Sequence, residues 1–117
     1  VLDQQGRYAF SAGSELQAFI WDLKTGKQIS QLELSRAQII TAARFSPNGK
    51  WLVTGSPSRA LILWDVATGK KLQQWQVRAI LNSRPASAVI HAVAFLNDNQ
   101  VISESSSGVA EVWEIKQ

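Results

Sequence analysis

The sequence reads as an all-β protein assembled from copies of one four-stranded antiparallel unit. Three observations carry that reading. The first is a repeat: sliding the 117-residue chain by 43 positions lays Gly6-Arg7-Tyr8 on Gly49-Lys50-Trp51. The same shift lays Trp21-Asp22-Leu23-Lys24-Thr25-Gly26-Lys27 on Trp64-Asp65-Val66-Ala67-Thr68-Gly69-Lys70, with five of these seven positions identical. A third copy follows, in which Phe95 matches Phe45 and Val112-Trp113-Glu114-Ile115 matches Leu63-Trp64-Asp65-Val66. The second observation is the texture within a copy, short bulky runs punctuated by Gly, Pro, Asn and Asp. The third is that no window of eleven residues has helical periodicity.

The middle copy justifies the elements in order. Ile40 to Phe45 is a mostly apolar run with bulky ends, and Ser46-Pro47-Asn48-Gly49 turns the chain. Proline pre-sets the first turn dihedral there and Gly49 accepts the positive φ that closes it. Trp51 to Thr54 is a second strand, and Gly55 to Arg59 is a loop. Leu61-Ile62-Leu63-Trp64 is apolar throughout, which predicts burial of both faces between neighbouring sheets. In the hairpin Asp65-Val66-Ala67-Thr68-Gly69-Lys70 the carboxylate can accept backbone N–H bonds, and Gly69 takes the left-handed position. Leu72 to Val77 is more polar, as an outermost, solvent-facing strand should be.

Composition narrows the chemistry. Apolar residues make up 45% of the chain and charged ones 18%, a globular balance. The net charge of +3 is too small to imply nucleic acid unless the cations cluster. With no Cys and a single His, the common zinc sites, disulfide frameworks and thiol chemistry fall away, and no metal or cofactor is expected. No Gly-x-Ser-x-Gly elbow or Gly-x-Gly-x-x-Gly loop is present, so the chain reads as non-enzymatic. Thr25-Gly26-Lys27 and Thr68-Gly69-Lys70 lack the earlier glycine of a phosphate loop, since Trp21 and Trp64 stand there. His91, between Ile90 and Ala92, reads as structural or channel-lining. Neither a membrane span nor a signal peptide is visible, and a cytoplasmic location is expected. The chain starts at Val1 and contains no Met, which points to a gene that begins further upstream.

Phe45-Ser46-Pro47-Asn48-Gly49, Thr54-Gly55-Ser56, Leu63-Trp64-Asp65 and Thr68-Gly69-Lys70 together resemble the WD-repeat β-propeller consensus. The resemblance recurs in register over nearly the whole chain. It implies blades of four strands, a innermost to d outermost, around a central channel. It also makes Trp21, Trp64 and Trp113, with Phe45 and Phe95, blade-packing residues, and Asp22, Asp65, Gly26, Gly49 and Gly69 turn residues. The family's Gly-His is replaced by Ser35-Arg36 and Pro85-Ala86, and its loop Asp by Glu15, Ser58 and Ser107. Of its buried hydrogen-bond chain, only the Trp indoles and the hydroxyls of Ser11, Thr54 and Ser103 remain. The blades should therefore lean on apolar packing.

Counted this way, residues 1–38 supply strands b to d of one blade, 39–87 a whole second blade, and 88–117 strands a to c of a third. That is an incomplete ring of about 2.5 to 3 blades, where propellers close with roughly four to eight. The expectation is the C-terminal portion of a larger propeller. Copies of this chain would meet with strand c next to strand b, out of phase, so homo-oligomeric ring closure is not expected.

In the arrangement the resemblance implies, the d–a and b–c loops share one face, the top. That face would carry Arg36, Arg59, Arg78 and Arg84, and arginine suits bidentate contact with carboxylate or phosphate. Seven residues more separate Trp64 from Phe95 than separate Trp21 from Phe45, which places Ile80 and Leu81 in an enlarged top loop between arginines. These six residues are the candidate partner-binding set. The resemblance implies a protein–protein interaction scaffold whose partner is another protein or the remaining blades or domains of a longer chain. Two other readings stand beside it: the sensor region of a larger signalling enzyme encoded upstream, and nucleic-acid or phosphate binding through the arginine face.

Overall fold

A computed structural model of the chain describes residues 6–12, 18–32, 40–57, 59–77 and 88–115. Those residues form strands and turns only, with no helix among them that could cross a membrane. The first sheet holds β1 (Tyr8–Ala12), β2 (Ala18–Asp22) and β3 (Gln28–Gln31). The second holds β4 (Ala42–Phe45), β5 (Trp51–Gly55), β6 (Ala60–Asp65) and β7 (Lys71–Gln76). The third holds β8 (Ile90–Asn97), β9 (Gln100–Ser105) and β10 (Ala110–Glu114). Each sheet is an antiparallel meander with its strands in sequence order.

The registers of the three sheets match. Leu63 lies opposite Val53 and Trp64 opposite Leu52, while Val112 lies opposite Ile102 and Trp113 opposite Val101. In the first sheet Trp21 lies opposite Ala9 and Ile20 opposite Phe10. Alternation along a strand then sends successive side chains to opposite faces. In β6, Ile62 and Trp64 join Phe45 and Leu52 against Phe10, Ala18, Ile20 and Leu32 of the first sheet. Leu61 and Leu63 join Val53 and Val77 against Ile90, Val93 and Val101 of the third. The apolar run Leu61–Trp64 is thus buried on both faces, no residue in it more than 2% exposed. Each such side chain is worth about 1.5–3 kcal/mol of burial. By contrast β7 alternates exposed and half-buried positions, as an outer strand does.

Polar groups tie the stack together at its rims. Ser30 Oγ donates to the Val66 carbonyl (2.7 Å) and Thr41 Oγ1 to the Ile90 carbonyl (2.6 Å), each across a sheet interface. Asp98 accepts from the Asn48 backbone N–H (2.9 Å), joining the a–b turns of the second and third sheets. Gly69, at φ 75°, lies so close to Gln31 that a Cβ would collide with its carbonyl oxygen. Residues 1–5, at the start of the first expected blade, lie outside the described residues.

Candidate functional site

The loop between β5 and β6 and the two ends of the connection from β7 to β8 meet on one rim of the stack. Arg59 ties them. Its backbone N–H donates to the Ala88 carbonyl (3.1 Å), its carbonyl accepts from Val77 N–H (3.0 Å), and its Nε–H donates to the Val77 carbonyl (2.9 Å). One residue therefore grips both flanks of segment 78–87. It does so at φ 74°, the one non-glycine residue in the left-handed region among the described residues. Such a conformation costs on the order of 1–3 kcal/mol and persists only where the surroundings hold it. Ser56 reinforces the clasp: its carbonyl accepts from Ile90 N–H (3.0 Å) and its hydroxyl from Ala60 N–H (2.9 Å).

Of the six candidate partner-binding residues, Arg59 is described, and it is half-buried with its Nε committed to Val77. Arg36, Arg78, Ile80, Leu81 and Arg84 lie outside the described residues. The clasp was not readable beforehand, since an arginine carries no local signal for a positive φ. The serine loop after β9 repeats part of the arrangement, with Ser106 N–H donating to the Val89 carbonyl (2.9 Å) and Ser106 Oγ accepting from Val89 N–H (2.8 Å).

The repeat residues do structural work. The three tryptophan indoles donate to hydroxyls one strand away, Trp21 to Ser11 (2.9 Å), Trp64 to Thr54 (2.9 Å) and Trp113 to Ser103 (3.0 Å). Trp64 is fully buried, while Trp113 is half-buried and packs against Trp75 with ring centroids 6.0 Å apart. Asp22 and Asp65 accept from the N–H groups of Lys24 (2.9 Å) and Ala67 (3.3 Å), closing the c–d hairpins. Although the family's His and Asp are missing, no buried side-chain polar atom among the described residues lacks a partner.

Crevices run between neighbouring sheets on the opposite rim. One of about 290 Å³ lies beside Tyr8, Ile29 and Val66, and another of about 410 Å³ lies beside Trp51, Leu72 and Ile115. Neither gathers titratable groups into a constellation. His91 is exposed on β8, and the described residues contain no group of three potential metal ligands.

Meander sheets stacked face to face in repeat register are blades of a β-propeller. Residues 26–65 match the family described as WD domain, G-beta repeat, which spans β3 through β6. The solved structures agree. One is the computationally designed Ika4 protein, 25% identical at a TM-score of 0.71, with 94% of this chain and 61% of that chain covered. Another is the β-propeller domain of Cps50 (Swd1) from Myceliophteria thermophila, 20% identical at a TM-score of 0.76, with 100% and 35% covered. The chain has a β-propeller fold with parts of three blades, an incomplete ring in which residues 26–65 carry the WD-repeat match, and it spans less than two thirds of either structure. WD-repeat propellers generally mediate protein–protein interaction.

Proposed function

We propose that this chain is a non-enzymatic interaction scaffold that presents its top-face loops to a protein partner or to another domain of a longer chain. The observation that supports this best is the Arg59 clasp. It anchors both flanks of the enlarged loop 78–87 to a stack of sheets buried on both sides, so the loop's base has little freedom left to lose on binding. Within that loop and beside it, Arg36, Arg78 and Arg84 would supply the charge, and Ile80 and Leu81 the apolar contact. The partner surface would then be acidic with an apolar centre.

Selection of displayed random twelve-residue peptides on the full chain tests the reading. The expected outcome is enrichment of Asp and Glu around an apolar residue, with capture lost in the variant carrying Arg36→Glu, Arg78→Glu and Arg84→Glu and retained in its Lys counterpart. Peptides without acidic enrichment, or undiminished capture by the Glu variant, would contradict it. Titration with a single-stranded oligonucleotide separates the phosphate-binding reading, which demands tight binding that falls steeply with salt.

A further inference from the structure

One crevice on the opposite rim lies wholly between two stacked blades. Tyr8 and Ile29 line it from the first blade, and Lys50, Asp65, Val66 and Ala67 from the second. Its walls are tied across the seam, where Ser30 Oγ donates to the Val66 carbonyl (2.7 Å). Arg7 reaches over from the first blade, its Nη2 donating to the Asn48 carbonyl (3.3 Å) and its guanidinium 5.3 Å from the Tyr8 ring centroid. Gly49 makes room for that side chain, since a Cβ there would collide with Arg7 Nη2. The volume is about 290 Å³, just under the roughly 300–1,000 Å³ of small-molecule sites, so the crevice suits one bulky side chain.

Charge on this rim is one-sided. The turns of the first two blades and the start of β7 carry six exposed cations, Arg7, Lys24, Lys27, Lys50, Lys70 and Lys71. Only Asp22 and Asp65 oppose them there, and both carboxylates serve their own hairpins. Asp22 accepts from Lys24 N–H (2.9 Å), and Asp65 from Ala67 N–H (3.3 Å) and the Thr68 hydroxyl (2.8 Å). Asp98 of the third blade is likewise held by Asn48 N–H. Among the described residues, the ammonium groups of Lys24, Lys27, Lys50 and Lys70 have no partner. Lys50 lines the crevice, Lys70 ends the hairpin whose Val66 and Ala67 form one wall, and Lys27 stands two residues before Ile29 of the other.

We propose that this crevice receives a bulky apolar side chain from an acidic segment of a partner protein. The walls would cover the anchor, and carboxylates on either side of it would meet Lys27, Lys50 and Lys70. The buried anchor supplies affinity, while the exposed charge pairs supply specificity and association rate. A nucleic acid would engage the same cations through its phosphates but leave the apolar walls unfilled. The site shares no residue with the top-face loops, so a chain carrying both would hold two partners, one on each face.

The probe is a fluorescein-labelled nine-residue peptide, a leucine flanked on each side by four glutamates, followed by anisotropy. It is titrated into the full chain carrying Arg36→Glu, Arg78→Glu and Arg84→Glu, which removes the top-face charge from the measurement. Saturable binding is expected there, weakened about tenfold or more when the leucine becomes serine, and again when Lys50→Glu and Lys70→Glu are added. Circular dichroism should not change, since both lysines are exposed. The chain has no Cys, so the reactivity of a single introduced thiol maps the site. Saturating peptide should slow maleimide labelling of Ala67→Cys and leave Ser106→Cys, exposed on the top rim, unaffected. No binding to this variant, equal binding of the leucine and serine peptides, no loss with the lysine substitutions, or protection at position 106 instead of 67 would overturn the proposal. So would a single-stranded oligonucleotide that binds more tightly and displaces the peptide, which would assign the face to nucleic acid.

Discussion

The second and third blades share register, turn chemistry and the tryptophan-to-hydroxyl bond, yet they differ in how deeply the same positions are buried. Leu63 is fully buried and Val112, its counterpart, is 53% exposed; Trp64 is fully buried and Trp113 half-buried. The strands themselves are built alike. What differs is their cover among the described residues. Leu63 meets the third sheet, whereas no sheet lies on Val112. Trp64 sits on a strand flanked by β7, whereas Trp113, packed on the second sheet, sits on a strand paired with β9 alone. In a stacked-repeat protein the energy sits in the interfaces between units, so a residue's worth depends on its neighbours more than on its own strand.

The largest expected effects test that contrast. Trp64→Ala removes a fully buried side chain and should cost about 3–5 kcal/mol, whereas Trp113→Ala removes a half-buried one and should cost no more than about 2 kcal/mol. Urea denaturation of the two variants measures the difference. Leu63→Ala should likewise cost about 2–5 kcal/mol, while Val112→Ala stays within about 0.5 kcal/mol. Equal losses for Leu63→Ala and Val112→Ala would mean that stacking does not set the hierarchy, and equal losses for the two tryptophans that burial does not.

A somewhat smaller effect is expected from overpacking. Gly55→Ala drives a methyl into Ile90 and should destabilise by about 1–3 kcal/mol. Combining it with Ile90→Ala should recover part of that loss, because the two side chains compete for one space, and a double-mutant cycle would read the coupling. Glu104→Ala, at the matching position of the third blade, should be nearly neutral.

Comparable or smaller effects concern single hydrogen bonds. Thr54→Val leaves the buried Trp64 indole N–H without its acceptor and should cost about 1–3 kcal/mol. At the half-buried Trp113, where water can substitute, Ser103→Ala should cost less, about 0.5–1.5 kcal/mol. Reversal of that order in thermal or urea unfolding would contradict the burial argument.

Much of the blade architecture was legible because its determinants are local. Ser46-Pro47-Asn48-Gly49 and Asp65 to Gly69 specify their turns through short-range chemistry, and Leu61–Trp64 announces two-sided burial by lacking any polar alternation. The tryptophan-to-hydroxyl pairs were also readable from the repeat. What stayed hidden is non-local. Nothing in the residues around Arg59 signals a left-handed arginine that bonds to both Val77 and Ala88, because that conformation is imposed by the two strand ends it joins. Nor does Glu104 stand out in sequence as the counterpart of Gly55. That correspondence emerges once strand register places it at the position that Gly55 holds against Ile90. Five of the six candidate partner-binding residues fall outside the described residues and remain part of the proposal.

Native-state hydrogen exchange, resolved strand by strand, tests most directly whether interface burial ranks the stability of the blades. Stacking on both faces predicts that the amides of β6 exchange only through global unfolding, while those of β10 open at least tenfold more readily, an opening cheaper by about 1.4 kcal/mol or more. Protection in β10 equal to that in β6 would contradict it.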